Sequence, residues 1–313
     1  MPYRLGLHLL GEQRAFLGRD RSAWGDHLRR ARSWLGEGFA AAPADRPCLV
    51  LGAGWGLEVP WDRAPRATWG WDADPLSRVG TFLRHRRWAP WITSDFTGGL
   101  GPLAAAAGRC ARDRHGRRRD PVEGARRLAG LLPSFPPSCT PLRSWGEVHR
   151  PGAVLAANVV GQLGPVAQAL IRKAFAPVNP FELQDPAAEA LVEALEAWTA
   201  AAVRSVLAAL ADSGAHLTLL HDRGVAWGGA EPRPLGPWRD PWTAQLPAGH
   251  WEVSDALGDV EVGASFQASH AVIARERWWW PVGPAQLHLV EAWQLSPSGS
   301  PTGLPSHGGS PPG

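Results

Sequence analysis

The chain is poor in several residue types, and each shortage narrows what it can be. Only three of its 313 residues are cysteine: Cys48, Cys110 and Cys139. So few, and an odd number, argue against a disulfide framework and fit a reducing, cytoplasmic compartment. Cys110 with His115, and Cys139 with His149, lack the spacing of a zinc site, so no metal is expected. Methionine and tyrosine occur once each, and Lys173 is the single lysine among 32 basic residues. No apolar run approaches the roughly 18 residues that span a bilayer. The stretch from Met1 to Gly11 is too short and too interrupted for a secretory signal. The formal net charge is only +3. That excess is too small to indicate nucleic acid or a membrane as partner.

What is abundant is arginine, tryptophan (18), glycine (36) and proline (30). These residues and alanine share GC-rich codons, so a single Arg or Trp carries little functional weight. The 44% hydrophobic content excludes wholesale disorder. The length allows one large or two small domains with a sizeable core.

Residues 1–45 read as an amphipathic helical segment, with Leu10, Phe16, Leu17, Trp24, Leu28, Trp34 and Leu35 spaced by turns of a helix or multiples of them. Short apolar runs then recur. Strands are expected at 47–52, 67–72, 91–95, 153–159 and 216–221, with helical patterns between several of them. The strongest helical pattern runs from Pro186 to Leu210, with Leu191, Leu195, Trp198, Val203, Val206 and Leu210 near one face. Two runs, 271–280 and 286–293, flank a Pro/Gly connection and predict a β-hairpin. The fold class expected is α/β: a doubly wound, mostly parallel seven-stranded sheet with a C-terminal antiparallel hairpin and an N-terminal helical addition. The main domain spans 46–296, with an Arg-rich insertion at 97–150. Residues 297–313 are a Ser/Pro/Gly tail with almost nothing to bury.

Gly52-Ala53-Gly54-Trp55-Gly56 sits where the first strand should turn into a helix. Glycines there let a ligand approach the backbone, and a helix N-terminus offers free N–H donors. Asp72 closes the second strand, where a carboxylate can accept from both ribose hydroxyls. Asp95 closes the third, with Phe96 beside it, within reach of an adenine ring. A dinucleotide fingerprint needs glycine at 57, and this chain has Leu57. A nicotinamide-dependent oxidoreductase and a purely structural glycine turn stay open as alternatives.

Gly-x-Gly-x-Gly, Asp72, Asp95 and the terminal hairpin together resemble the class I S-adenosylmethionine-dependent methyltransferases, over roughly residues 46–295. The resemblance implies S-adenosylmethionine as cofactor. It implies that Gly52, Ala53, Gly54 and Gly56 lie against it, with Asp72 on the ribose and Asp95 and Phe96 at the adenine. Trp71-Asp72-Ala73-Asp74-Pro75 also looks like the family's second-strand turn, with Asp74 capping the next helix and Pro75 at its first position. The family usually has an acidic residue two before the first glycine. Here that residue is Val50, so another group must position the loop, or the fold serves as a non-catalytic binding module.

The end of the fourth strand faces the transferred methyl in that family. Here it reads Ala157-Asn158-Val159-Val160-Gly161-Gln162. Asn158 lacks the Pro-Pro-aromatic continuation of nucleobase N-methyltransferases, which argues against a nucleic-acid acceptor. Asn158 and Gln162 are candidates to orient an acceptor, small molecule or protein. His221 and Asp222, expected to follow the fifth strand and face the cleft, are the general-base candidates. The arginines between Arg109 and Arg127 outnumber acids eight to three, and a solvated loop is the expected reading of them. Trp278-Trp279-Trp280 should alternate across a strand, mostly into core.

Overall fold

A computed structural model describes residues 21–54, 56–228, 246, 251–255, 257, 260–283 and 286–299. The helical pattern expected before residue 21, and the tail beyond residue 299, lie outside the described residues.

The frame is one mixed sheet. Its strands are β1 (Cys48–Leu51), β2 (Thr68–Asp72), β3 (Trp91–Thr93), β4 (Ala153–Ala157), β5 (His216–Gly228), β6 (Trp251–Asp255), β7 (His270–Gly283) and β8 (Gln286–Pro297). The order is β3-β2-β1-β4-β5-β8-β7, with β6 pairing the far end of β5. The first five strands run parallel; β8 is antiparallel to both β5 and β7. This is the expected mostly parallel sheet with its antiparallel hairpin. The sequence pattern missed β6.

Central strands are buried on both faces, which explains their continuous apolar runs. In β1, Leu49 and Leu51 face one core and Cys48 and Val50 the other. The larger core lies under α3 (Leu100–Ala111), α4 (Pro121–Leu131), α5 (Thr140–His149), α6 (Leu163–Phe175) and α7 (Pro186–Asp212). The smaller one lies under α1 (Arg21–Ala40), where Trp24, Trp34, Leu35 and Phe39 meet Trp61, Trp278 and Trp280. Helix α2 (Ser77–His85) links β2 to β3.

Helix α7 begins where Asp185 accepts from the Ala187 N–H at 2.8 Å and Pro186 occupies the first turn. By length and composition it could cross a membrane. Here its stripe of Leu191, Leu195, Trp198, Val203, Val206 and Leu210 is core, as its spacing predicts.

Three local expectations need correction. No helix follows the glycine turn: residues 56–67 are a succession of turns anchored by buried Trp61. The stretch from Arg109 to Arg127 is not one solvated loop. Arg109 sits on α3 and Arg126 and Arg127 on α4, and only 112–120 is a turn, closed by an Arg112–Arg118 bridge. Asp74 accepts from the Leu76 N–H at 2.9 Å, so α2 starts at Ser77 and Pro75 stands before it.

Candidate functional site

Parallel register brings four chain turns to one edge of the sheet. Leu51 pairs with Trp71 and Ala156, Asp72 with Thr93, and Ala157 with Leu220. The residues after each strand therefore converge at the carboxyl ends, where open α/β sheets bind ligands.

Gly52, Gly54 and Gly56 all have positive φ (63°, 49° and 67°). Side chains rarely tolerate that region, so the Gly-x-Gly-x-Gly spacing is a backbone requirement. Space adds a second one at Gly52. A Cβ there would stand 2.4 Å from Val159 Cγ1 and 3.0 Å from the Ala157 carbonyl oxygen. Ala53 is buried against the α1 side. Trp55 lies outside the described residues.

Asp72 holds this turn. Its Oδ2 accepts from the Gly54 N–H at 2.7 Å and its Oδ1 from the Asp74 N–H at 2.8 Å. Val50 cannot anchor the loop, and Asp72 does so from the neighbouring strand. Burial pushes the Asp72 pKa up to about 6, against the two backbone N–H donors that pull it down and the nearby Asp74 charge that adds to the rise. Each carboxylate oxygen keeps a second lone pair for another donor.

Asp95 and Phe96 are placed differently from expectation. Asp95 caps α3: it accepts from the Thr97 N–H, the Thr97 hydroxyl and the Leu100 N–H at 2.9, 2.6 and 2.7 Å. Phe96 does not line a crevice. It is buried in the larger core, edge-on to Trp71 with centroids 6.4 Å apart.

The structure joins Asn158, Gln162 and Asp222. Asn158 follows β4 in a left-handed conformation, φ 54°. Its Oδ1 accepts from the Asp222 N–H at 3.1 Å, and its amide lies 3.3 Å from Asp222 Oδ2. Gln162 donates to the same oxygen at 2.9 Å. Gly161 permits the approach, because a Cβ there would be 2.9 Å from Asp222. His288 on β8 completes the group, with Nδ1 3.0 Å from Asp222 Oδ2. That contact is an ion pair off the line of a good hydrogen bond. Burial alone would raise the Asp222 pKa; the charge and proximity of His288, with the Asn158 amide, outweigh it and hold the carboxyl below its ordinary range.

His221 needs correction. It and Asp222 lie inside β5, which continues to Gly228, so they do not follow the strand. Successive side chains point to opposite faces. His221 is fully buried on the far face, 3.3 Å from Glu291 Oε2. Glu291 also binds Arg275 and Arg277. Burial opposes its ionisation, and His221 with the two arginines holds its pKa far below the ordinary value. A histidine locked there is not open to a cleft.

Sequence reasoning missed His288, a lone histidine 66 positions from Asp222. It also missed the aromatic wall beside it. Trp280 meets His288 with centroids 5.6 Å apart and stacks on His27 at 4.0 Å. Trp278 donates to His27 Nδ1 at 3.2 Å, so His27 Nε2 carries the proton that faces Glu58, 3.1 Å away. Helix α1 is thereby tied to the segment after the glycine turn. Trp279 points the other way, beside Ala226 and Leu287, as the alternation predicts. A cavity of about 590 Å³ lies at the opposite end of the sheet, lined by Leu49, Trp145, Arg150, Val154 and Leu210 among others.

No protein-family model matches the chain. No curated protein matches it in sequence. Among solved structures, the N-terminal domain of EvdMO1 with SAH bound is similar at 13% identity and a TM-score of 0.32, over 85% of this chain and 80% of that one. The DhpI–SAM–HEP complex is similar at 12% identity and a TM-score of 0.22, over 88% and 99%. Overlap this slight carries no argument about the site, which is read from the chain's own geometry.

Proposed function

We propose that this chain binds S-adenosylmethionine at the glycine turn and transfers its methyl group to an acceptor, small molecule or protein, in a reducing cytoplasm. The observation that carries the reading is the meeting of Gly54 and Asp72 at 2.7 Å on adjacent strand ends. Around that meeting are three positive-φ glycines and a sheet whose C-terminal hairpin sets the reversed strand β8 beside β5, in keeping with the resemblance.

The residues present fit the group. Asp72 has lone pairs left for two ribose hydroxyls, and Gly52, Ala53, Gly54 and Gly56 put bare backbone beside it. When bound, S-adenosylmethionine supplies an electrophilic methyl. The chain's task is then to hold an acceptor in line with it. Asp222, kept ionised, orients an N–H or O–H donor of the acceptor. A carboxylate held below its ordinary range is a weak base, so it orients rather than deprotonates. Asn158 and Gln162 fix that carboxylate, His288 stands beside it, and the proton that the acceptor loses passes to solvent.

One observation favours a second reading, a non-catalytic module. Asp95 spends both oxygens capping α3, and none of its contacts needs a ligand. Calorimetric titration with S-adenosylhomocysteine, beside NADH and Asp72→Ala, separates the cases. Micromolar binding lost in the variant supports the proposal. No adenosyl binding favours the module, and selective NADH binding an oxidoreductase.

A further inference from the structure

Helix α2 is packed inside out. Its buried residues are Ser77, Gly80 and Thr81. Leu76, Val79 and Leu83, one stripe at helical spacing, are 39%, 43% and 60% exposed. A solvated surface helix has the reverse arrangement. Trp88, 57% exposed, extends the stripe. Its ring meets Phe82 edge-on at 5.2 Å and carries the Arg78 guanidinium 4.1 Å from its centroid. These side chains form one continuous apolar face rather than scattered exposures.

The face carries an excess of positive charge, with Asp62 of the preceding turns acting on it at His85. From Pro75 to Ser94 the chain has Arg78, Arg84, Arg86 and Arg87 and no carboxylate. Arg87 is engaged by the carbonyls of Trp61, Ala64 and Pro65. Arg86, which ends the helix, is exposed. A second copy docked by the same face would set arginine against arginine, which disfavours a two-fold dimer here. The overall charge of +3 conceals this local excess.

We propose that the α2 face docks on an anionic lipid surface, with Leu83 and Trp88 entering the headgroup boundary and Arg78 and Arg86 pairing with lipid phosphates. Exposed leucine and tryptophan flanked by arginine are the chemistry of an interfacial helix. Arginine stems can lie along the apolar face while their heads stay at the phosphates. The proposal is independent of methyl transfer. It revises the expectation that no membrane is a partner, and it concerns surface docking, not a span.

The test is flotation of the full chain with phosphatidylcholine vesicles, with and without roughly one-third phosphatidylglycerol. Binding is expected to the anionic vesicles only, and to weaken with salt. Arg86→Gln should lower affinity about fivefold, at about 1 kcal/mol. Leu83→Ser with Trp88→Ser should lower it at least tenfold while the variant still unfolds in one cooperative thermal transition, because more than half of each side chain is exposed. The proposal is overturned by no vesicle binding, or by equal binding to neutral vesicles. It is also overturned if Arg117→Gln with Arg118→Gln removes binding while the α2 variants keep it, or if the Leu83/Trp88 change dissolves a soluble oligomer instead.

Discussion

Binding of S-adenosylhomocysteine should depend on pH through Asp72. Ribose hydroxyls donate hydrogen bonds, so the carboxylate form is the one that binds. Burial raises the free carboxyl to a pKa of about 6. At about pH 8 nearly all of it is ionised; at about pH 5 roughly one part in eleven is. Affinity should therefore fall about tenfold between these values, or about 1.4 kcal/mol. Binding near pH 6 should release a proton, because the ligand draws the pKa down. Calorimetry in two buffers of different ionisation enthalpy measures both effects. Asp72→Asn, which cannot ionise, should abolish the pH dependence along with most of the affinity. Wild-type affinity that stays flat from about pH 5 to 8 refutes the placement of a ribose on this carboxylate. So does an Asp72→Asn variant that binds as tightly as wild type.

Gly52→Ala should destabilise the fold by about 2 kcal/mol or more in chemical denaturation, since it combines a positive φ with a 2.4 Å approach to Val159. Asp222→Ala should cost about 3 kcal/mol by leaving the buried His288 and two amides without their acceptor. Because the Asp222 pKa is lowered on folding, its contribution is present above the ordinary carboxylate value of about 3.9 and lost as pH falls through the lower folded one. Acid titration of stability should accordingly be shallower in the variant. Trp280→Ala should cost about 3–5 kcal/mol and loosen α1, because its ring packs on Trp24, His27 and His288. Protease cleavage within α1, faster in that variant than in wild type, would report the loosening.

The sequence by itself determined the five parallel strands, the hairpin, α7 and the glycine turn, though not β6. Each depends on local chemistry: apolar runs buried on both faces, helical spacing, and backbone angles open chiefly to glycine. Asn158 and Gln162 were legible for the same reason, since they follow β4 at the sheet edge where the topology gathers the parallel strand ends, whereas Asp222 reaches them from inside β5. The face that each β5 side chain takes was not legible. Strand ends are poorly defined by pattern, and β5 runs seven residues beyond His221, so His221 and Asp222 became neighbours on opposite sides of one strand. The partners that then matter are set by cross-strand register. Glu291 meets His221, and His288 meets Asp222, because β8 returns antiparallel along β5 with a bulge after Asp222. The outward stripe of α2 was hidden for a related reason. Its periodicity marks an apolar face, but which face turns inward is decided by partners outside the helix, such as the Gly56 carbonyl that His85 meets at 2.8 Å. Register and packing of this kind join residues distant in sequence, and no local pattern encodes them.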